Sequence, residues 1–279
     1  MRSLINGKAD LILSSQDRGL QYGDGLFETL VAENGEVKNW SLHLARLSEG
    51  CERLFLPQPN ELQLLTEIDH LLSDTGKEIV KIIISRGLGP RGYAFKEVVP
   101  TRVINVYPWP ELPDKNEKTG IELFICQTRI ARQPALAGIK HLNRLENVLA
   151  RHEWQDQKYA EGLMLDTENN VIEGTMSNLF IVKNNKLQTP DLTQCGVNGV
   201  TRQRILNIAS EKEITLEVID LSMKQLEQAD EVFVCNSVIG LWPVRKIKEK
   251  RFLIAPVYSR ATETSANPIT RFLQKSLLA

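Results

Sequence analysis

The 279-residue sequence lacks any apolar run approaching the roughly 18 residues of a membrane span, and Met1-Arg2-Ser3-Leu4-Ile5-Asn6-Gly7 carries no signal-peptide core before its turn. A cytoplasmic protein with no membrane partner is expected. An excess of charge of either sign is also missing, and a formal net charge of -1 gives no drive toward nucleic acid. The 4 cysteines, Cys51, Cys126, Cys195 and Cys235, form no C-x-x-C pair and do not cluster with His43, His70, His141 or His152 at metal-ligand spacing. Neither a disulfide framework nor a metal centre is expected, and the four read as reduced, mostly buried thiols. No internal repeat or low-complexity tract is present. What remains, with 42% hydrophobic and 25% charged residues, is the composition of an ordinary soluble protein whose partner is a small molecule. The length favours two domains over one.

Asn6-Gly7 and Asn34-Gly35 are hairpin signals between strand-like runs, Ser3 to Ile5 with Leu11 to Leu13, and Leu26 to Ala32 with Val37, so the chain is expected to open as antiparallel sheet. Between them, the three glycines of Asp17 to Gly25 read either as a sharp connection or as a place where backbone approaches a ligand. Apolar spacing predicts helices from Ser41 to about Leu54 and from about Glu61 to Leu72, then a strand from Ile79 to Ser85. Gly87-Leu88-Gly89-Pro90-Arg91-Gly92 fits the G-x-G-x-x-G dinucleotide pattern but is rejected as one, because Tyr93 to Pro100 has no helical periodicity to bring a helix N-terminus to a pyrophosphate. A turn carrying Arg86 and Arg91 fits better. The prolines and polar run of Pro108 to Lys118 cannot continue either regular element. They place a boundary between a smaller α+β domain, 1–112, and a larger α/β domain, 113–279. Beyond it, a helix is expected from about Leu142 to Gln157, strands at Gly162 to Asp166, Val171 to Glu173 and Glu231 to Cys235, and a final amphipathic helix opened by Asn267-Pro268.

Lys140 follows the small and apolar Ala135-Leu136-Ala137-Gly138-Ile139, where an ammonium can be partly desolvated and lose its proton more easily. A neutral amine is what Schiff-base chemistry requires; the alternative is one solvated lysine among many. Glu173 falls on or beside an apolar strand, where it either meets a specific partner or faces solvent at the strand end. His43 and Arg46, three apart on one helix flank, are a solvated face unless an anion lies beside them. Gly196 to Arg202 enters a helix whose free N–H groups make a candidate phosphate cradle at Val200 and Thr201, and Asn236-Ser237 at a strand end is a second. Lysine, carboxylate, arginine and phosphate-type loops together match pyridoxal 5'-phosphate. Its aldehyde needs an amine, its pyridine nitrogen a carboxylate, and its phosphate a cation with backbone donors.

These residues also carry a resemblance. Arg18-Gly19-Leu20-Gln21-Tyr22-Gly23-Asp24-Gly25-Leu26-Phe27-Glu28-Thr29, His43-x-x-Arg46, Ile84-Ser85-Arg86-Gly87-x-Gly89-x-Arg91-Gly92-Tyr93, Gly138 to Glu146, Glu173-Gly174-x-x-Ser177-Asn178-Leu179-Phe180 and Asp230-Glu231-x-x-x-Cys235-Asn236-Ser237 occur in the order of the fold-type IV pyridoxal-phosphate enzymes. The chain resembles that superfamily of branched-chain aminotransferases, D-amino-acid aminotransferases and aminodeoxychorismate lyases, over nearly its whole length. It looks most like the lyase branch, because Arg144 and Thr29 stand where branched-chain aminotransferases have tyrosine and glycine. The resemblance implies a two-domain α+β fold, a homodimer and a site near the domain boundary. It implies that Lys140 forms the cofactor Schiff base, Glu173 partners the pyridine nitrogen, and Arg46, Val200, Thr201, Asn236 and Ser237 hold the phosphate. Arg86, Arg91 and Arg144 are candidates for the carboxylates of the substrate. The implied reaction converts 4-amino-4-deoxychorismate to 4-aminobenzoate and pyruvate, toward folate; the alternative is an aminotransferase of the same superfamily.

Overall fold

Two sheets organise the chain. The computed structural model describes residues 1–9, 12–95, 99–252, 254 and 268–278. The chain divides into one unit of Met1–Pro110 with Ile139–Arg144, and another of Glu111–Gly138 with Leu145–Ala279. Leu11 and Asn267, both used in the expectations above, lie outside the described residues.

The first unit contains β1 (Arg2–Ile5), α1 (Arg18–Tyr22), β2 (Gly25–Glu33), β3 (Glu36–Val37), α2 (Trp40–Arg53), α3 (Glu61–Asp69), β4 (Lys77–Ser85) and β5 (Thr101–Pro108). Its sheet has the order β1-β5-β4-β2-β3, with every pairing antiparallel. Strand alternation fixes the covered face: Leu26, Glu28, Leu30 and Ala32 on β2 are buried with Val80, Ile82 and Ile84 on β4 and Ile104 and Val106 on β5. Each such Leu or Ile contributes about 1.5–3 kcal/mol on full burial. Gly50 lets α2 lie close on β2, since a Cβ there would come within 2.8 Å of the Leu26 side chain. Glu28 interrupts this apolar row and so requires partners.

Two expectations change here. The first strand pairs with β5 across a long sequence interval, not with a following strand, and Ile12 and Leu13 are not in a strand. The glycine-rich stretch is a short helix rather than a loop. Asp17 accepts from the Gly19 N–H at its start, and Gly23, at φ 65°, ends it in the left-handed conformation.

The second unit holds α4 (Asp114–Thr119), β6 (Ile121–Ile130), α5 (Leu145–His152), β7 (Tyr159–Asp166), β8 (Asn170–Gly174), β9 (Asn178–Lys183), β10 (Lys186–Pro190), α6 (Val200–Glu211), β11 (Leu216–Ile219), β12 (Leu221–Ser222), α7 (Met223–Glu227), β13 (Glu231–Asn236), β14 (Gly240–Ile247), β15 (Lys250–Arg251) and α8 (Pro268–Leu278). Successive pairings β8-β9-β13-β14-β6-β7 return to β8 and close a ring. Strands buried on both faces read as unbroken apolar runs, and β9 and β13 show why. Leu179, Ile181, Val232 and Val234 point into one core with Leu163 and Leu221, whereas Phe180, Val182, Phe233 and Cys235 point into another with Ile205, Ala209 and Leu273. The Phe180 and Phe233 rings stack there at 5.1 Å. The polar end of the expected linker, Asp114–Thr119, is helical instead. Pro113 is tolerated just before a helix start, and an Asp114–Lys118 pair at 2.8 Å spans one turn. Arg271 closes the other end by donating to the carbonyls of Glu117 and Lys118.

Candidate active site

Lys140 belongs to the first unit. The helix expected from Leu142 begins at Leu145, because residues 139–144 run extended along β2. The Phe27 N–H donates to the Lys140 carbonyl and the Leu142 N–H to the Gly25 carbonyl, both at 2.9 Å. Paired backbone groups on both sides fix Lys140 more firmly than a loop would. Its Nζ lies 4.4 Å from the centroid of the Phe27 ring. Arg144 folds back on this segment, donating from Nε to the His141 carbonyl at 3.0 Å, and Asn143 donates to the Gly23 carbonyl at 3.1 Å. Arg144 thus braces the lysine segment.

Glu28 meets two residues of α2. Arg46 donates from Nε to Oε1 at 2.8 Å and from its terminal nitrogen to Oε2 at 2.5 Å, and His43 Nδ1 lies 2.7 Å from Oε2. All three side chains are buried. Burial alone would raise the Glu28 carboxyl, but the Arg46 charge and the hydrogen bonds from His43 and Arg46 hold it at about 2. Burial lowers His43, Glu28 opposes, and the positive charges of Arg46 and Lys140 lower it further, so the site favours the neutral imidazole. The anion that removes His43 and Arg46 from a solvated face is therefore part of the protein. Glu28 escaped the sequence reading, although it is in phase with Leu26 and Leu30 on β2.

Arg86 is also fully engaged in the first unit. It donates to Asp24 at 2.7 Å and to the carbonyls of Leu54 and Phe55, and its guanidinium stacks on Phe95 at 3.8 Å. It is buried and held on four sides by the protein. Arg91 is exposed.

In the second unit Glu173 is 4% exposed on β8. Its Oε2 accepts from the Val197 N–H at 2.8 Å and from the Asn178 amide at 3.4 Å, so of the two readings of this residue the partnered one holds. Asn178 also ties down the following loop, donating to the Val197 carbonyl at 2.8 Å and accepting from the Gly199 N–H at 3.0 Å. Gly138 clasps the same loop from the other side, bonding Gly196 and Asn198 at 2.9 Å each. The loop delivers the start of α6, where Val200 and Thr201 are buried and no side chain caps the helix among the described residues. Uncapped N–H groups at the positive end of a helix suit a phosphate. Arg202 is occupied with Asn198, Thr189 and the Pro190 carbonyl. The Asn236 side-chain oxygen accepts from the N–H groups of Val238 and Ile239, and its side-chain amide donates to the Met176 carbonyl.

Sequence reasoning also missed Glu161. Buried at the edge of an apolar run, it read as a strand boundary. Its carboxylate accepts from the N–H groups of Gly162, Thr175 and Met176 and from the hydroxyls of Thr175 and Ser177, which pins the turn directly after Glu173.

Comparison with known proteins adds the following. Residues 25–247 match the amino-transferase class IV family. The chain is 38% identical to an aminodeoxychorismate lyase of Vibrio harveyi, across 87% of this chain and 90% of that protein. It is 27% identical to a D-alanine aminotransferase of Bacillus licheniformis, across 88% of each. The crystal structure of 4-amino-4-deoxychorismate lyase from Pseudomonas aeruginosa superposes with a TM-score of 0.89 at 44% identity, covering 99% of this chain and 97% of that one.

Proposed function

The chain belongs to the amino-transferase class IV family, and from that premise we propose that it is a pyridoxal-phosphate-dependent lyase that converts 4-amino-4-deoxychorismate to 4-aminobenzoate and pyruvate. The observation that carries the chemistry is Lys140, whose backbone is fixed by pairing with β2. Its likeness to lyases, at 38% and 44% identity against 27% for the D-alanine aminotransferase, selects the branch.

The donor set suits pyridoxal 5'-phosphate. A buried carboxylate on β8 matches a protonated pyridine nitrogen, an uncapped helix start matches a phosphate, and Lys140 matches an aldehyde. When bound, the cofactor supplies an electron sink for the carbon that bears the substrate nitrogen. The Glu173 carboxylate would hold the pyridine proton in place. Arg46, the N–H groups of Val200 and Thr201, and Asn236 with Ser237 would hold the phosphate. Lys140 Nζ would act as the base that takes the proton from the substrate carbon bearing nitrogen and as the acid that returns a proton to the departing enol fragment. Arg91 meets a substrate carboxylate. Arg144 and Arg86 act one step back, through the lysine segment and the loop that follows β4.

We place the protein in the cytoplasm as a homodimer. The four cysteines are all buried free thiols, as suits a reducing compartment. No helix among the described residues is long and apolar enough to cross a membrane. On α5, Leu145, Val148 and Leu149 are 60–75% exposed and share one face, an apolar stripe that a second copy would cover. The decisive experiment mixes purified protein with 4-amino-4-deoxychorismate and no keto acid. Equal amounts of 4-aminobenzoate and pyruvate establish the lyase. Turnover that begins only on addition of a keto acid and an amino donor makes it an aminotransferase instead.

A further inference from the structure

The segment after β4 is wrapped around one side chain. Arg18, 2% exposed at the start of α1, donates to the carbonyls of Gly92 at 2.8 Å and of Pro90 and Tyr93 at 3.3 Å. Its own backbone N–H bonds the Gly87 carbonyl at 2.9 Å. The Tyr22 hydroxyl accepts from the Gly92 N–H at 2.9 Å, and the Tyr22 and Tyr93 rings meet edge to face at 5.7 Å. Gly89 passes so near that a Cβ there would lie 2.7 Å from Arg18 Cδ.

The guanidinium is itself fixed. Its Nε donates to Asp24 at 2.9 Å, it lies 4.8 Å from the Tyr22 ring centre, and Arg86 donates to the same Asp24 oxygen at 2.7 Å. One planar fork therefore satisfies three consecutive-turn carbonyls that have no strand or helix to pair them. Every group in this cage is internal to the protein, while Arg91, at the middle of the caged segment, is exposed.

We infer that Arg18 is a positioning residue for substrate recognition: with Tyr22 it holds residues 88–93 in the one conformation that presents Arg91 to a carboxylate of the substrate. The inference rests on the assignment of Arg91 made above. Arg18 is buried and its guanidinium is spent on protein groups, so its loss acts on KM and spares cofactor loading.

The test compares Arg18→Met, Arg18→Lys, Tyr22→Phe, Arg91→Ala and the Arg18→Met/Arg91→Ala double variant in the cofactor-loaded enzyme. The readouts are kcat, KM, cofactor absorbance and the rate of trypsin cleavage after Arg91. Arg18→Met is expected to raise KM about tenfold, the scale of one hydrogen bond to a charged group, with kcat and absorbance unchanged. Cleavage after Arg91 accelerates in step, Arg18→Lys recovers part of the loss, and the double variant is no worse in KM than Arg91→Ala alone. Tyr22→Phe, which removes one hydroxyl, shows a smaller change in the same two readouts and carries the test if Arg18→Met does not fold. Unchanged KM and cleavage in Arg18→Met or, failing that, in Tyr22→Phe overturns the inference. So does a normal KM in Arg91→Ala, but that result removes the role of Arg91 and leaves the lyase reading, which acceptor-free turnover measures separately.

Discussion

Lys140 and Phe27 are joined twice, by the Phe27 N–H on the Lys140 carbonyl at 2.9 Å and by the Lys140 Nζ 4.4 Å from the Phe27 ring centre. The first contact sets the backbone in register on β2. The second sets where a flexible four-carbon side chain ends.

Removing the amine should remove the chemistry. Lys140→Ala is expected to lower turnover by at least about 10³-fold, the scale of a lost proton-transfer group. Borohydride should then fix no cofactor to the peptide carrying residue 140. Phe27→Leu keeps the backbone bond and deletes the ring, so kcat should fall only about 2–5-fold, matching ~0.5–1 kcal/mol for a cation over an aromatic face. Wild-type kcat in Phe27→Leu would show that the ring does not orient the amine.

Breaking the Glu28 cluster is a stability experiment. Glu28→Ala removes the buried carboxylate that Arg46 and His43 pair with and should cost about 3–5 kcal/mol in urea unfolding. The pH sign is definite. Glu28 is held at about 2 against an ordinary 4.5, so its contribution is complete above pH 4.5 and disappears as pH falls through 2. The variant should be less acid-sensitive than the wild type across that window.

The sheet pattern was legible because alternation and hairpin glycines act locally, as at Leu26 to Ala32. Glu173 was legible for the same reason, as a carboxylate in an apolar strand. What was hidden depends on distant partners. Asp114–Thr119 is a helix because Arg271, far along the chain, caps it. Leu142 leaves the helical pattern because its N–H pairs with the Gly25 carbonyl at the start of β2. Glu28 and Glu161 look like surface charges until His43, Arg46 and the Thr175–Ser177 turn are placed around them.

The Glu173 loop depends on a glycine. Gly196 has φ +85°, and a Cβ there would lie 2.8 Å from Leu192 Cδ2, 2.9 Å from Ile172 Cγ2 and 3.3 Å from Glu173 Oε2. Gly196→Ala meets both a left-handed backbone, costing about 1–2 kcal/mol, and a packed wall. It should lower the melting temperature and weaken cofactor binding at least about tenfold, read by titration of the apo-protein, because the displaced atoms include the Glu173 carboxylate. Normal cofactor affinity in a destabilised Gly196→Ala would separate the loop from the cofactor.

His141, next to Lys140, gives a pH signature of its own. Its buried Nδ1 has no hydrogen-bond partner among the described residues, so no acceptor favours the imidazolium. Burial, with the charges of Arg144 and Lys140, pushes it from 6.5 down to about 3. Below pH 6.5 the unfolded chain binds a proton that the folded protein refuses, so stability falls with pH until about 3; above 6.5 this residue adds no slope. His43 is lowered too and acts in the same direction. Urea midpoints at pH 7.5 and pH 5 should therefore differ more for the wild type than for His141→Gln, by about 1–2 kcal/mol after allowing for the partial exposure of the ring. Equal slopes in the two proteins would mean that folded His141 takes up its proton as an unfolded histidine does, and the charge set around Lys140 would then gain a second cation in mild acid.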